Sequence, residues 1–172
     1  MSNVDLFPTI LDLCGLTPPE DTDGVSLIPM VTGTAPSVRP EVFAELTYHT
    51  AYDPMRTIRT ERHKYIRSFA ERPLYLPAHV DASPTKDLLR ERGYFERGRP
   101  PEMLFDLQHD PHERANLATD PAAAGVRDAL RDRLERWMHA TRDPLLAGEV
   151  AAPPGAPLTP VDSYDPEDGS TH

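Results

Sequence analysis

The pattern of apolar and polar positions predicts a short helix near the start of the chain, followed by a long loop. Asp5 is a candidate N-cap and Pro8 is tolerated in a first helical turn, so we expect a helix over residues 5–14. Its apolar face has three- and four-residue spacing: Phe7, Ile10, Leu11 and Cys14. Residues 17–40 are rich in Pro, Gly and Asp around one apolar patch and predict a loop.

From Val42 the pattern changes to period two, which is typical of strands. In "VFAELTYHT" one strand face would carry Phe43, Glu45, Thr47 and His49. "MRTIRT" and "HKYIRSF" predict a hairpin around Glu61 and Arg62, with Ile58 and Ile66 in the core. "EMLFDL" predicts a further strand.

A long helix is predicted after Thr119 or Asp120, either of which can cap it, with Pro121 in its first turn. Its buried stripe would be Val126, Leu130, Leu134, Trp137, Met138 and Thr141. After Pro144 the composition has too little apolar surface to offset the entropy cost of ordering, so we expect a mobile tail.

Composition and charge narrow the class of protein. With 172 residues, of which 38% are hydrophobic, the chain can bury one modest core. The net charge of -10 argues against binding to nucleic acid, because neutralising phosphates requires an excess of Lys and Arg. Cys14 is the single cysteine, which excludes an intrachain disulfide and a cysteine-based metal site. No apolar run reaches membrane-spanning length, so we expect neither a nucleic acid nor a membrane as a partner.

The stretch "LFDLQHDPHERANLA" brings together the three carboxylates of Asp106, Asp110 and Glu113. It lacks the glycine and the alternating oxygen ligands of a calcium loop, so we expect a structural turn rather than a metal site. Asp110 would start the turn, Glu113 would accept hydrogen bonds from free amides, Asn116 would adopt the left-handed conformation, and Leu117 would return to the core.

Two features are candidates for binding chemistry. A basic run either attracts an anionic substrate or forms a solvated hairpin face: Arg56, Arg59, Arg62, Lys64, Arg67 and Arg72. Glu45 and His49 share a strand face and Arg56 follows shortly, which offers an acid, a base and an anion binder. The alternative is that Glu45 and Arg56 pair across the sheet.

Long segments of the chain resemble sulfatases. "VDLFPTILDLCGLTPPEDTDGVSLIPMVTG" resembles the segment that closes their large domain, and "LFDLQHDPHERANLATDP" resembles the turn before their last helix. "AELTYHTAYDPMRTIRTERHKYI", "DASPTKDLLRERG" and "RWMHATRDPLL" are most similar to the heparan N-sulfatase (N-sulfoglucosamine sulfohydrolase, sulfamidase) branch. The resemblance covers residues 3–146.

The resemblance implies an α+β fold, in which a small antiparallel sheet is packed by one long C-terminal helix. Residues 1–36 would be the closing segment of an alkaline-phosphatase-like α/β large domain, residues 37–146 the C-terminal subdomain, and residues 147–172 the tail. It further implies that Glu45, His49 and Arg56 line the pocket for a sulfated sugar.

The resemblance also implies which groups lie elsewhere. Sulfatases use a formylglycine made within a C-x-P-x-R type motif, a calcium ion, and Lys and His groups that bind sulfate. Cys14 is followed by Gly15, Leu16, Thr17 and Pro18, so it does not match that motif. We therefore expect no catalytic residue, metal site or cofactor in this chain, which would need a sulfatase large domain as its partner and be inactive alone.

The sequence thus predicts the C-terminal part of a sulfatase that hydrolyses sulfate esters or the N-sulfate of a sugar. The alternatives are part of an arylsulfatase or choline-sulfatase-like hydrolase, or a non-catalytic module that binds anions or glycans.

Overall fold

The computed structural model describes residues 1–70 and 75–165. Its helices and strands follow in the order α1 (Leu6–Leu13), α2 (Ile28–Val31), β1 (Glu41–Tyr48), β2 (Tyr52–Thr60), β3 (His63–Ser68), α3 (Pro84–Glu91), β4 (Glu102–Asp106) and α4 (Ala124–Ala140). Packing divides the chain into two units. The first comprises Met1–Val42 with Arg59–Glu61, and the second comprises the rest of the described chain.

The four strands form one sheet in the order β1-β2-β3-β4. Strands β3 and β4 are antiparallel, with Tyr65 opposite Leu104. The predicted hairpin around Glu61 and Arg62 is confirmed, as is the strand over "EMLFDL". The α+β class with a small antiparallel sheet is therefore the fold of this chain.

One face of the sheet and α4 enclose the core. The fully buried cluster consists of Ile58, Tyr65, Leu104, Ala118, Leu130, Leu134 and Met138. Ile66, which we also predicted in the core, is only half-buried and lies outside this cluster. Successive strand residues point to opposite faces, so Tyr65 occupies the core position and Ile66 faces the other way.

The predicted Asp120 cap is present, but it caps a short 3-10 turn, and α4 itself begins after that turn at Ala124. The Asp120 carboxylate accepts a hydrogen bond from the Ala122 amide at 2.9 Å, and Pro121 follows it in a short 3-10 turn. Trp137 is half-buried and stacks on Phe43 of β1, with ring centroids 4.8 Å apart. The predicted stripe is too wide, because Val126 is 37% exposed and Thr141 is also exposed. The buried face therefore starts at Leu130 and ends at Met138.

The stretch after β4 is a turn in which side chains satisfy backbone groups. The Asp110 carboxylate accepts hydrogen bonds from the amides of Arg114 and Ala115 at 2.6 and 2.8 Å. Glu113 rather than Asn116 adopts the left-handed conformation, with φ of 54°, and Glu113 forms an ion pair instead of capping amides. A carboxylate on a left-handed residue can point away from the turn toward a cation.

Asn116 holds this turn against β4 through three hydrogen bonds. Its Oδ1 accepts from the amides of Leu104 at 2.9 Å and Ala118 at 3.0 Å, and its Nδ2 donates to the carbonyl of Glu102 at 3.1 Å. Leu117 packs against the core, as predicted.

The first unit is organised around Asp5. Its buried carboxylate accepts hydrogen bonds from the amides of Ser2 at 2.8 Å and Val25 at 3.1 Å, and it pairs with Arg39. Helix α1 follows Asp5, close to the predicted bounds. Several of its apolar side chains are exposed, among them Leu6, Phe7, Ile10 and Leu13.

The segment after α4 contacts the sheet at several points. Tyr48 donates its hydroxyl to the Val150 carbonyl at 2.7 Å, and the Val150 amide donates to the Tyr52 hydroxyl at 3.2 Å. The Thr159 amide donates to the Thr50 carbonyl at 2.9 Å. Whether this segment is mobile, as predicted, stays a prediction, and so do the domain bounds. Residues 166–172 of the predicted tail lie outside the described residues.

No helix among the described residues has the length and the apolar composition needed to cross a membrane.

Candidate functional site

Two of the three residues predicted to bind substrate lie in the middle of β1 and β2, and the third lies in the loop that joins these strands. Glu45 is in β1, Arg56 is in β2, and the distance between Glu45 Oε2 and Arg56 Nε is 3.6 Å. His49 directly follows β1, and its ring lies edge-on to the ring of His79, with centroids 5.2 Å apart. The structure thus brings Glu45 and Arg56 together and places His49 beside a histidine that the sequence did not single out.

Arg56 is 1% exposed and is held by Asp143, which follows α4. Arg56 Nε donates to Asp143 Oδ2 at 2.5 Å, and Nη2 donates to Oδ1 at 3.0 Å. Burial raises the pKa of Asp143, but hydrogen bonds from Arg56 and from the Leu145 amide outweigh this effect and leave the pKa below its usual range. The pair is a charged, bidentate contact inside the domain.

The remaining hydrogen-bonding capacity of Arg56 is also used locally. Nη1 donates to the carbonyls of Leu46 at 2.8 Å and Met55 at 2.9 Å, and Nη2 donates to the Thr47 hydroxyl at 3.1 Å. Arg56 therefore ties β1, β2 and the segment after α4 together. By contrast, the Glu45 side chain is 63% exposed. Of the two, Glu45 is the residue with room for an external contact.

A second buried ion pair lies on β2 near the histidines. Arg99 donates through Nη1 to Asp53 Oδ2 at 2.5 Å, and both side chains are almost completely buried. His79 Nδ1 lies 3.7 Å from Asp53 Oδ2. Burial lowers the pKa of His79, and the His49 ring adds to this effect, so the pKa lies below its ordinary value despite the nearby Asp53 charge.

The loop that carries His49 is fixed from two sides. The Thr50 hydroxyl donates to the Ala78 carbonyl at 3.0 Å, in the 3-10 turn Pro77–His79. The Thr50 carbonyl accepts from Thr159. His49 itself is exposed, whereas His79 lies behind it with a buried Nε2 that has no hydrogen-bond partner among the described residues. The arrangement presents one exposed imidazole on an anchored loop.

Sequence reasoning missed Asp143, Asp53 and His79. Asp143 is 87 residues from Arg56 and has no distinguishing local pattern. A weak signal existed for Asp53, since "AYDPMR" places a carboxylate inside a strand where a charge requires a partner.

The predicted basic run does not form one positive surface. Apart from the buried Arg56, three of its members are neutralised by ion pairs between 2.6 and 2.9 Å long: Arg62 with Asp106, Lys64 with Glu113, and Arg67 with Glu135. Arg59 is exposed, and Arg72 lies outside the described residues. An anionic ligand would therefore meet few unpaired cations on this hairpin.

Among the described residues, the carboxylates do not form the ligand set that a calcium ion would require. Within residues 1–70 and 75–165, no three or more His, Cys, Asp or Glu side chains are grouped so that they could hold a metal ion. Asp106 instead accepts hydrogen bonds from Arg62, His109 and the Gln108 amide, and these lower its pKa far below the usual range. No step of any reaction is assigned to a metal held by these residues.

Comparison with known proteins gives a consistent family. The C-terminal family of N-sulphoglucosamine sulphohydrolase matches residues 1–87. An ulvan-active sulfatase of Formosa agariphila is 32% identical over 87% of this chain and 31% of its own length. N-sulphoglucosamine sulphohydrolase of Homo sapiens is 33% identical over 90% of this chain and 34% of its own length. The chain thus spans about a third of the length of these relatives.

Solved structures agree with this assignment. A putative sulfatase from Bacteroides thetaiotaomicron superimposes with a TM-score of 0.64 at 26% identity, covering 95% of this chain and 31% of that one. A 2-O GAG sulfatase gives a TM-score of 0.61 at 27% identity, covering 87% of this chain and 27% of that one. The fold, the matched segment and the relatives together show that the chain belongs to the C-terminal family of N-sulphoglucosamine sulphohydrolase, within the sulfatases.

Proposed function

We propose that this chain acts as the C-terminal part of a sulfatase that removes a sulfate ester or N-sulfate from a sugar, as a sulfamidase does. The observation that carries this proposal is the family match over residues 1–87, which includes both strands of the candidate site. Relatives named for N-sulphoglucosamine and for ulvan support a sulfated sugar as the substrate class.

Within this function, we assign substrate contact to Glu45 and His49. Both side chains are exposed, one in β1 and one in the loop that follows it, and carboxylate and imidazole groups hydrogen-bond sugar hydroxyls and amines. The Arg56 guanidinium is buried and its hydrogen bonds go to groups of this chain, so we assign it no substrate contact. Arg56 is a positioning residue, because its Nε lies 3.6 Å from the Glu45 carboxylate.

The chemical step is assigned to a sulfatase large domain acting as the partner of this chain. The formylglycine, the calcium ion and the sulfate-binding Lys and His groups would belong to that domain, and bound calcium would supply charge stabilisation at the sulfate. The chain's own contribution is to orient the sugar through His49 and Glu45. Thr50 keeps the loop of His49 fixed, and Arg56 holds β1 beside Glu45.

Kinetics on N-sulfoglucosamine test this proposal, with the chain joined to a sulfatase large domain. We expect His49→Ala to lower kcat/KM by about tenfold or more with unchanged melting, and Asp110→Ala to leave kcat/KM unchanged, because Asp110 caps the turn after β4. The 172-residue chain alone should show no turnover.

Other kinetic or binding results would contradict the proposed substrate contacts or the proposed function. Loss of turnover in Asp110→Ala at unchanged stability, with His49→Ala silent, would place the substrate on another side of the domain. Faster turnover of an aryl sulfate or choline sulfate than of N-sulfoglucosamine would favour the arylsulfatase or choline-sulfatase alternative, which relatives in Homo sapiens and Rhizobium meliloti support. Binding of a sulfated glycan by the isolated chain, with no activity in any large-domain pairing, would favour the glycan-binding module.

A further inference from the structure

A cavity of about 470 Å³ lies within the second unit, and neither Glu45, His49 nor Arg56 is among its lining residues. This volume is in the usual range for small-molecule pockets, about 300–1,000 Å³. Its walls come from β2, from the end of the hairpin and from the segment after α4, and they include Tyr52, Phe69, Leu145, Gly148, Glu149 and Val161. Most of these groups are apolar or aromatic.

The cavity has one ionised group at its edge. Glu149 is exposed, and among the described residues its carboxylate has no ion-pair partner. Glu149 lines the cavity together with Tyr52 and Phe69. Burial, Tyr52 and the Glu149 charge raise the pKa of Tyr48, whose ring centroid lies 5.0 Å from that of Tyr52. A ligand that fills the cavity would thus meet aromatic rings and a carboxylate that no described cation neutralises.

The aromatic wall already accommodates a cation on one ring. The Arg67 guanidinium carbon lies 4.9 Å from the centroid of Phe69, and the charge of Arg67 is compensated by Glu135 at 2.6 Å. Aromatic faces attract cations because of their quadrupole, and a nearby carboxylate adds to that attraction. Glu149 in turn would repel an anionic ligand, such as a sulfate.

We propose that this cavity binds an organic ammonium ion with a small apolar body, whose charge lies between Glu149 and the rings of Tyr52 and Phe69. The apolar part of the ligand would contact Leu145 and Val161. This site is independent of the sulfatase function, because it lies on other side chains than Glu45 and His49 and favours the opposite charge.

Two probe molecules distinguish the contribution of the positive charge to binding from that of the apolar body. Benzylammonium and benzyl alcohol have the same ring and similar length, but only the first carries a positive charge at pH 7. Each is titrated into the full isotope-labelled chain at constant ionic strength, and binding is read from saturable NMR shifts of the amides of Ala70, Gly148, Glu149 and Val161. We expect benzylammonium to bind about threefold to tenfold more tightly than benzyl alcohol.

Variants identify the groups responsible. Glu149→Gln removes an exposed charge that makes no hydrogen bond among the described residues, so the fold should be kept, and the preference for benzylammonium should fall to about one. Glu91→Gln is the matched control, because Glu91 is an exposed residue at the end of α3 and its loss changes the net charge equally. Phe69→Leu should weaken binding of benzylammonium more than binding of benzyl alcohol.

Three results would overturn the proposal. These are equal affinities of the wild-type chain for the two probes, equal effects of Glu149→Gln and Glu91→Gln, and saturable shifts that map to residues away from the cavity.

Discussion

Replacing Asp143 by Asn tests whether the charge of the buried ion pair holds the domain together. Asn keeps an acceptor for the Leu145 amide, which the Asp143 carboxylate binds at 3.0 Å, but it removes the charge that faces Arg56. The guanidinium would then be a cation with 1% exposure whose nearest remaining counter-charge is the exposed carboxylate of Glu45. Removing one partner of a buried pair typically costs about 3–5 kcal/mol.

We expect a loss of about 3 kcal/mol in the free energy of unfolding, at the lower end of that range. Glu45 remains 3.6 Å from Arg56 Nε and compensates part of the charge. Urea unfolding can be followed by the fluorescence of Trp137, the single tryptophan of the chain. A loss of this size is a large fraction of the stability of a small domain, about 5–15 kcal/mol.

Asp120→Asn is the matched control. Asp120 accepts from the Ala122 amide at 2.9 Å in a similar cap, but it is exposed and does not face an arginine. We expect this substitution to cost less than about 1 kcal/mol. Equal losses of unfolding free energy in the two variants would contradict this prediction. The charge of Asp143 would then contribute nothing beyond the hydrogen bond that its side chain accepts from the Leu145 amide.

The same pair predicts a pH dependence. The pKa of Asp143 is lowered in the folded chain from its ordinary value of 3.8, so its contribution to stability is present above that value and is lost as the pH falls below it. Asp143→Asn should therefore lose less stability than the wild-type chain when the pH is lowered from about 4 to about 2.

Three further substitutions or titrations test the packing scheme. Asn116→Ala should lower the free energy of unfolding by about 2–3 kcal/mol, measured by urea unfolding, because it leaves backbone groups of β4 and the turn without partners. Leu134→Ala should cost about 3 kcal/mol and Val126→Ala less than about 1 kcal/mol, since Leu134 is fully buried and Val126 is 37% exposed; equal costs would contradict the assigned helix face. Burial and the Glu102 carboxylate raise the pKa of Tyr65 to about 12, so absorbance at 295 nm should show a late ionisation phase that includes Tyr65. The stability that Tyr65 contributes should be present below about pH 10 and lost as the pH rises toward 12. A titration in which every tyrosine ionises together near pH 10 would contradict that environment for Tyr65.

The elements of the sheet and of α4 could be predicted because their signals are local. The alternation in "VFAELTYHT" and the Asp120 cap before Pro121 are contained in a few neighbouring residues, and the structure confirms both elements. In these two segments the spacing of apolar side chains is enough to distinguish a strand from a helix, without information about distant contacts.

We predicted Ile66 in the core, but the structure buries Tyr65 instead. This difference shows what the local pattern of β3 cannot predict. Both faces of β3 carry large side chains, so period two cannot decide which face is buried. Burying Tyr65 requires a partner for its hydroxyl, and Glu102 accepts that hydrogen bond from the neighbouring strand. Only the register of β3 with β4 reveals this partner.

The environment of the candidate residues could not be predicted from the sequence. Strand periodicity placed Glu45 and His49, whereas the burial of Arg56 depends on Asp143, a residue 87 positions away. An arginine in an acidic chain suggests a surface cation until its counter-charge is found, because an unpaired buried charge is too costly to survive. The composition of a strand alone therefore cannot separate a substrate-binding arginine from a structural one.

This environment changes how the site should be tested. Both buried ion pairs, Arg56 with Asp143 and Arg99 with Asp53, anchor β2, and the loop that carries His49 joins β1 to β2. A substitution that breaks either pair would both lower stability and displace the loop. A fall in kcat/KM after such a substitution would therefore not identify a substrate contact. His49 is exposed and is not a member of either pair, so its replacement should change substrate contact without removing an anchor of the sheet. A kinetic effect of His49→Ala at unchanged melting is therefore the result that distinguishes substrate binding from structural support.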